Sequence, residues 1–164
     1  MDPGMAFGTG THPTTQLCLE ALERHLRPAD TVLDLGAGSG ILARGAALAG
    51  AGRIYACDID ADAAAVAHRA LEGRAHVFAG SLRSLRPACV DLILANINAE
   101  TLVSLAGAIA GVLRPAGRVI ISGFLSRQQE RVYGRFTEAG LSLLGTAEKE
   151  GWAAMVWSLP EVKR

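Results

Sequence analysis

Short, nearly unbroken apolar runs alternate along the chain with longer stretches in which apolar residues recur every third or fourth position. The runs suit strands buried on both faces, and the stretches suit helices that bury one stripe. This pattern predicts helices over 13–26, 41–49, 61–71, 101–113 and 127–139, and strands over 32–35, 53–57, 75–79, 90–95 and 118–122. Local signals mark the ends: Pro13 suits a first helical turn, Asp60 an N-cap, and Gly50 and Gly73 C-terminal caps. Ser126 with Gln129 reads as a capping box, and residues 114–117, Arg-Pro-Ala-Gly, read as a turn. Two last strands, 141–148 and 152–158, flank Lys149, Glu150 and Gly151 and predict an antiparallel hairpin. Strands alternating with helices make an α/β fold with right-handed crossovers, in which ligands bind beyond the carboxyl ends of the strands.

One such end carries the most specific chemistry. Residues 32–40 read Val-Leu-Asp-Leu-Gly-Ala-Gly-Ser-Gly, a strand running into a glycine turn and then a helix. Glycines there let backbone pass close to a ligand, and the helix N-terminus offers unpaired N–H groups. Asp58, closing the next strand about 20 residues on, offers a carboxylate to a ribose. A dinucleotide is a poor match, because its fingerprint is G-x-G-x-x-G/A. Here Gly36, Gly38 and Gly40 give G-x-G-x-G, with Ile41 where the last small residue belongs. Asp34, inside the strand, would repel a pyrophosphate but attract an ammonium group. S-adenosylmethionine meets all three conditions, having a ribose, an α-amino group and no phosphate.

Composition narrows the setting of such a site. With 164 residues, 50% of them hydrophobic, the chain is long enough for one well-cored domain and short for two. Sixteen basic residues balance sixteen acidic ones, so the charge that drives most nucleic-acid binding is missing, and no direct nucleic-acid contact is expected. No apolar run reaches about 18 residues and the opening residues lack the pattern of a signal peptide, so a soluble, cytoplasmic protein without membrane contact is expected. Cys18, Cys57 and Cys89 are odd in number and scattered, which argues against a disulfide framework and a metal centre. No metal is expected, and a monomer is.

The opening loop, Pro-Gly-Met-Ala-Phe-Gly-Thr-Gly-Thr-His-Pro-Thr-Thr over 3–15, is more particular. With the glycine turn and with Asn96-Ile97 after the fourth strand, it resembles the catalytic domain of the bacterial ribosomal protein L11 methyltransferases, the PrmA family, over nearly the whole chain. The resemblance implies a Rossmann-like class I S-adenosylmethionine-dependent methyltransferase, with a seven-stranded, mostly parallel sheet ending in the C-terminal antiparallel hairpin. It implies methyl transfer to amines, lysine side chain or N-terminus, of a large-subunit ribosomal protein. It also implies that Thr15, Gly36, Asp58 and Asn96 line the cofactor site. That family carries a further N-terminal domain that holds the substrate, and nothing in residues 1–164 corresponds to it. The expectation is therefore one catalytic domain with a cofactor-covering loop over about 1–13. Two other readings stay open: a non-catalytic S-adenosylmethionine-binding module, and a small-molecule or nucleic-acid methyltransferase on the same sheet. Against the last, residues 96–99 lack the proline-proline-aromatic run of base- and glutamine-modifying relatives.

Each candidate residue has a role and an alternative. Asp58 is read as the ribose acceptor rather than a surface acid, and Gly36 and Gly38 as the backbone beside the methionine part of the cofactor. Asp34 either binds the amino group or holds the turn by structural hydrogen bonds. Asn96 is the candidate catalytic residue, orienting an amine lone pair at the methyl group, while Asn98 is the better cap for the next helix. Phe7 and Met5 are read as a cover on the cofactor, and Leu82 with its neighbours as an adenine contact. His12 is the obvious general base, though a loop histidine more often caps a helix. Trp152 and Trp157 are read as core.

Overall fold

The structure is a computed structural model that describes residues 10–162. The elements follow in order: α1 (Pro13–His25), β1 (Thr31–Leu35), α2 (Ile41–Leu48), β2 (Arg53–Asp58), α3 (Ala61–Leu71), β3 (His76–Ala79), β4 (Val90–Asn96), α4 (Ala99–Val112), β5 (Leu113–Leu125), α5 (Gln129–Glu138), β6 (Ser142–Lys149) and β7 (Trp152–Ser158). The strands form one seven-stranded sheet in the order β3-β2-β1-β4-β5-β7-β6. Strands β1 to β5 pair in parallel, and β7 pairs antiparallel with both β5 and β6. The fold class expected from the alternation, the closing hairpin included, is the one observed.

Two apolar layers hold the sheet. One face packs Leu22, Leu42, Ala43, Ala67 and Leu71 from α1, α2 and α3 against Val32, Ile54 and Leu92. The other packs Leu102, Ile109, Val132 and Phe136 from α4 and α5 against Leu33, Ile93, Val119 and Trp157. Burial on both faces explains why β1 and β4 read as continuous apolar runs rather than alternating ones. Trp157 lies in the core against Phe136, as expected, whereas Trp152 is only half buried and meets the ring of His12 edge-on, with centroids 4.9 Å apart. At the amino ends of the strands, Arg118 is buried and pairs with Asp30 at 2.8 Å, tying β5 to the connection between α1 and β1.

Two local expectations are corrected. The turn over 114–117 is a wide bulge inside β5: pairing with β4 jumps from Val90↔Leu113 to Leu92↔Arg118, and Ala116 takes a φ of 64°. The capping box of Ser126 and Gln129 does not form. Instead Gln128 Oε1 accepts from the N–H of Leu125 at 2.8 Å, a 3-10 turn over Ser126–Gln128 precedes α5, and Ser126 Oγ is buried without a partner among the described residues.

The chain moves outward from β1 to β2 and β3 on one side, then restarts at β4 on the other. The gap between the carboxyl ends of β1 and β4 is thus the switch point where an open α/β sheet takes its ligand. Both the glycine turn and Asn96 stand on it.

Candidate functional site at the carboxyl ends of β1, β2 and β4

The glycine turn is strung over the end of β2. The N–H groups of Gly36 and Ala37 both donate to the carbonyl of Cys57 at 2.9 Å. Gly38 takes a φ of 52°, and the place where its Cβ would stand is open space. That leaves room for a ligand to approach the backbone. Ile41, the residue that breaks the dinucleotide pattern, lies 3.2 Å from the position a Cβ on Gly10 would take. The opening loop therefore reaches the turn at the residue that is foreign to a pyrophosphate site.

Asp58, at the end of β2, accepts from the N–H of Gly38 through Oδ2 and from that of Asp60 through Oδ1, both at 3.0 Å. These bonds lock the carboxylate beside the turn and leave further lone pairs on both oxygens for hydroxyl donors. It lines a cavity of about 490 Å³ with the apolar side chains of Leu35, Ile59, Ile97 and Leu105. A broad apolar wall with one fixed carboxylate is what a nucleoside requires. Asp58→Ala should weaken binding of an adenosine-containing cofactor at least about tenfold, since hydrogen bonds to a charged group contribute about 1.5–3 kcal/mol. Calorimetric titration measures this, and unchanged affinity would remove Asp58 from the ribose role.

A smaller hollow of about 60 Å³ adjoins the cavity, lined by Asp34, Gly36, Gly38, Ile41 and Asn96 among others. Asp34 is buried, and its Oδ2 accepts from the N–H of Ala43 at 2.9 Å, which caps the first turn of α2 from the strand before it. Burial raises its carboxyl to about 7; the negative charge of Asp58 adds to this and the Ala43 bond opposes it. The structural role and the exposure to the hollow coexist, so both readings of Asp34 have a physical basis.

Asn96 ends β4 and lines both cavities. Its Nδ2 reaches Thr15 Oγ1 at 3.5 Å, and its Oδ1 is buried with no hydrogen-bond partner among the described residues. Asn98, not Asn96, caps α4, accepting from the N–H of Thr101 at 2.8 Å. The helix therefore makes no demand on Asn96.

Three further candidates take other places. Thr15 is fully buried beneath Asn96 and supports it from α1. Of Leu82 and its neighbours, Leu82 itself is corrected to core, while Gly80 and Ser81 line the cavity. His12 is the N-cap of α1, its Nδ1 accepting from the N–H of Thr14 at 3.2 Å and lying 2.7 Å from Thr14 Oγ1. Burial lowers its pKa, with Glu150 pulling the other way, so the ring is neutral at pH 7 and able to accept. His12→Ala should cost about 1 kcal/mol of stability through the lost cap and leave cofactor affinity unchanged, checked by thermal unfolding and titration. Phe7 and Met5, read as a cover, lie outside the described residues. Ile59 and Gly123 carry no role in the sequence reading, and Ile97 enters it only as part of the Asn96-Ile97 motif; a glycine inside the apolar run 119–125 signals a bulge or a close backbone approach and points to Gly123 and its neighbour Ile97.

The donor set suits S-adenosylmethionine: Asp58 beside an apolar wall for the adenosine, and Asp34 with open backbone at Gly38 for the ammonium end. Among the described residues no cluster of histidine, cysteine or acidic side chains is arranged to hold a metal. No helix of the described residues is long and apolar enough to cross a membrane.

The model of the family described as Ribosomal protein L11 methyltransferase (PrmA) matches residues 1–159. The Ribosomal protein L11 methyltransferase of Geobacter sulfurreducens is 46% identical over 159 residues, covering 96% of this chain and 53% of that protein. That of Pelotomaculum thermopropionicum is 42% identical, covering 94% and 52%. This chain spans about half the length of the curated relatives it matches. Among solved structures, the ribosomal protein L11 methylase of Lactobacillus delbrueckii subsp. bulgaricus superposes with a TM-score of 0.87 at 31% identity, over 98% of this chain and 84% of the other. A SAM dependent methyltransferase from Aquifex aeolicus, at TM-score 0.71 and 17% identity, shares the fold. On residues and on fold alike, the chain belongs to the ribosomal protein L11 methyltransferase (PrmA) family.

Proposed function

We propose that this chain is a catalytic domain that transfers methyl groups from S-adenosylmethionine to amines of ribosomal protein L11, on lysine side chains or the N-terminus, in the cytoplasm. The observation that carries this reading is the buried Oδ1 of Asn96 at the end of β4, without a hydrogen-bond partner among the described residues, between the hollow lined by Asp34 and the cavity lined by Asp58. A buried carbonyl oxygen that no described residue satisfies is an acceptor open to a donor, and an incoming amine is such a donor.

When bound, S-adenosylmethionine supplies an electrophilic methyl group on a sulfonium. The residues of the chain supply position and environment. Asp58 holds the nucleoside end, and Asp34 with the Gly38 backbone holds the ammonium end. Asn96 Oδ1 accepts an N–H of the amine and so turns its lone pair inward, with reacting atoms about 3–3.5 Å apart in a productive complex. A free lysine at pH 7 is neutral about one time in 2,500, a cost of about 4.6 kcal/mol. Desolvation in a closed site lowers the amine pKa by several units and offsets most of that, so no dedicated base is needed. His12 Nδ1, committed to the α1 cap, is not that base.

Calorimetric titration of the chain with S-adenosylmethionine and, separately, with NAD tests the cofactor; NAD binding with no response to S-adenosylmethionine would sink the assignment. Incubation with labelled cofactor and ribosomal protein L11, with and without the N-terminal half of a longer relative supplied in trans, tests the acceptor. Label on L11 that survives acid and base identifies an N-methylated amine. No label in either mixture would leave a binding module instead.

A further inference from the structure

We propose that Ile97 is a positioning residue, a wedge seated between Gly36 of the cofactor turn and Gly123 of β5 that sets where Asn96 stands relative to the turn. The proposal deepens the reading of Asn96 as the residue that receives the acceptor amine, and rests on it.

The β4–β5 ladder ends at the pair Asn96↔Ser122, after which the N–H of Ile97 still donates to the Ser122 carbonyl at 3.0 Å. At the next residue β5 breaks register with β7, between Ser122 and Phe124, and Gly123 takes a φ of 98°. A bulge of this kind bends one strand and re-aims its neighbours, and bulges concentrate beside active sites. Its effect here is to let the backbone of Ile97 lie directly on Gly123. A Cβ at Gly123 would collide with the carbonyl oxygen of Ile97 and stand 2.7 Å from its N and C atoms. On the opposite side, a Cβ at Gly36 would stand 2.7 Å from Ile97 Cγ2. Both contacts are far inside van der Waals range, so Ile97 occupies the place where either glycine would carry a side chain.

The two contacts differ in kind. Toward Gly123 the wedge is backbone, which has no freedom to rotate away. Toward Gly36 it is one methyl group of a β-branched side chain, stiff at χ1. Asn96 is the residue immediately before the wedge, half buried, with its Nδ2 against Thr15 and its Oδ1 without a partner among the described residues. Its place is thus fixed from behind by Thr15 and from the following peptide by the wedge. Both glycines take positive φ, Gly36 at 71°, so an alanine at either carries some strain whatever it meets. The test therefore turns on which strain a change at Ile97 relieves.

The experiment is a set of double-mutant cycles on the whole chain, read by cofactor affinity, by thermal unfolding and by the side-chain amide signals of Asn96 in NMR. Gly36→Ala should weaken S-adenosylmethionine binding about tenfold. Adding Ile97→Ala, which removes Cγ2, should recover binding to within about threefold of Ile97→Ala alone, whereas Ile97→Val, which keeps both γ carbons, should recover nothing. Gly123→Ala should shift the Asn96 amide signals and lower methyl transfer at least tenfold with affinity within threefold of the parent, and Ile97→Ala should not rescue it. If Gly123→Ala fails to fold, the Gly36 cycle alone decides. Rescue of both glycine variants by Ile97→Ala, rescue of neither, or Asn96 signals indifferent to Gly123→Ala would overturn the wedge. Failure of the parent chain to bind S-adenosylmethionine would overturn the proposed function instead, while the cycle in unfolding temperature and the amide signals, which need no cofactor, would still judge the wedge.

Discussion

Asn96→Ala is expected to lower the rate of methyl transfer at least about 100-fold, equivalent to about 2.7 kcal/mol of barrier, while the cofactor Kd changes by less than about fivefold. The asymmetry follows from what the side chain does in the structure. Its Nδ2 reaches Thr15 at the long distance of 3.5 Å, and its Oδ1 has no partner among the described residues. Removing it therefore sacrifices little native hydrogen bonding, and at the cofactor end it forfeits at most one neutral hydrogen bond of about 1 kcal/mol. What it does forfeit is orientation of the nucleophile, and a misplacement of about 1 Å costs about 100-fold. Asn96→Asp is the sharper variant. It keeps an acceptor oxygen but adds a third carboxylate to those of Asp34 and Asp58, and it should retain more turnover than alanine if accepting from the amine is the essential role. Equal loss of cofactor binding and of turnover in Asn96→Ala would reassign the residue to the cofactor alone.

The elements around Asn96 show what a sequence reader can and cannot recover. The strand ends, the glycine turn and the acid at Asp58 are local patterns, written in consecutive residues and enforced by burial on both faces of the sheet. They emerge from periodicity and spacing, and the helix α3, Ala61–Leu71, was placed to the residue. Asn98 was separable from Asn96 because capping is also local. Contacts between distant segments were not recoverable. The pairing of Arg118 with Asp30 crosses from β5 to the connection after α1, and no spacing rule announces it. Leu82 lies three positions beyond the end of β3, where a side chain can face the core or the ligand, and only the 3-10 turn that buries it decides. Gln128 displaced Gln129 as the reciprocal cap because the chain leaves β5 through a 3-10 turn, which shifts the register of the helix start. Gly123 lay just beyond the predicted end of strand five, so a glycine that belongs to a bulge in the ladder looked like the residue that stopped it.

Asp34 offers the second large effect, and its sign can be worked out from the free chain. Its carboxyl titrates near 7 because burial, with the charge of Asp58, disfavours ionisation. A bound ammonium favours the ionised form, so binding draws a proton off Asp34. With a free pKa of about 7, ionised Asp34 rises from about 9% at pH 6 to about 76% at pH 7.5, and cofactor affinity should rise about eightfold over the same interval. Asp34→Asn should abolish that dependence and weaken binding at pH 7.5 about 30-fold, the charge-assisted contact in the buried hollow being lost. Any titration that belongs to the ligand survives in the variant, so the difference between the two profiles belongs to Asp34. Titration in buffers of unlike ionisation enthalpy should register release of a substantial fraction of a proton at pH 7 in the parent and none in the variant.

Stability should move the opposite way. The folded pKa of Asp34 lies above the ordinary 3.8, so between pH of about 4 and 7 the native state holds a proton that the unfolded chain has released. The parent therefore loses stability as pH rises through that window, and Asp34→Asn, whose amide can still accept from Ala43, should lack this loss and unfold at a higher temperature than the parent at pH 8. A variant that is more stable yet binds its cofactor less tightly cannot owe the weaker binding to damage of the fold. If instead affinity is flat between pH 6 and 7.5 in the parent, Asp34 serves the helix cap alone and the ammonium is held elsewhere.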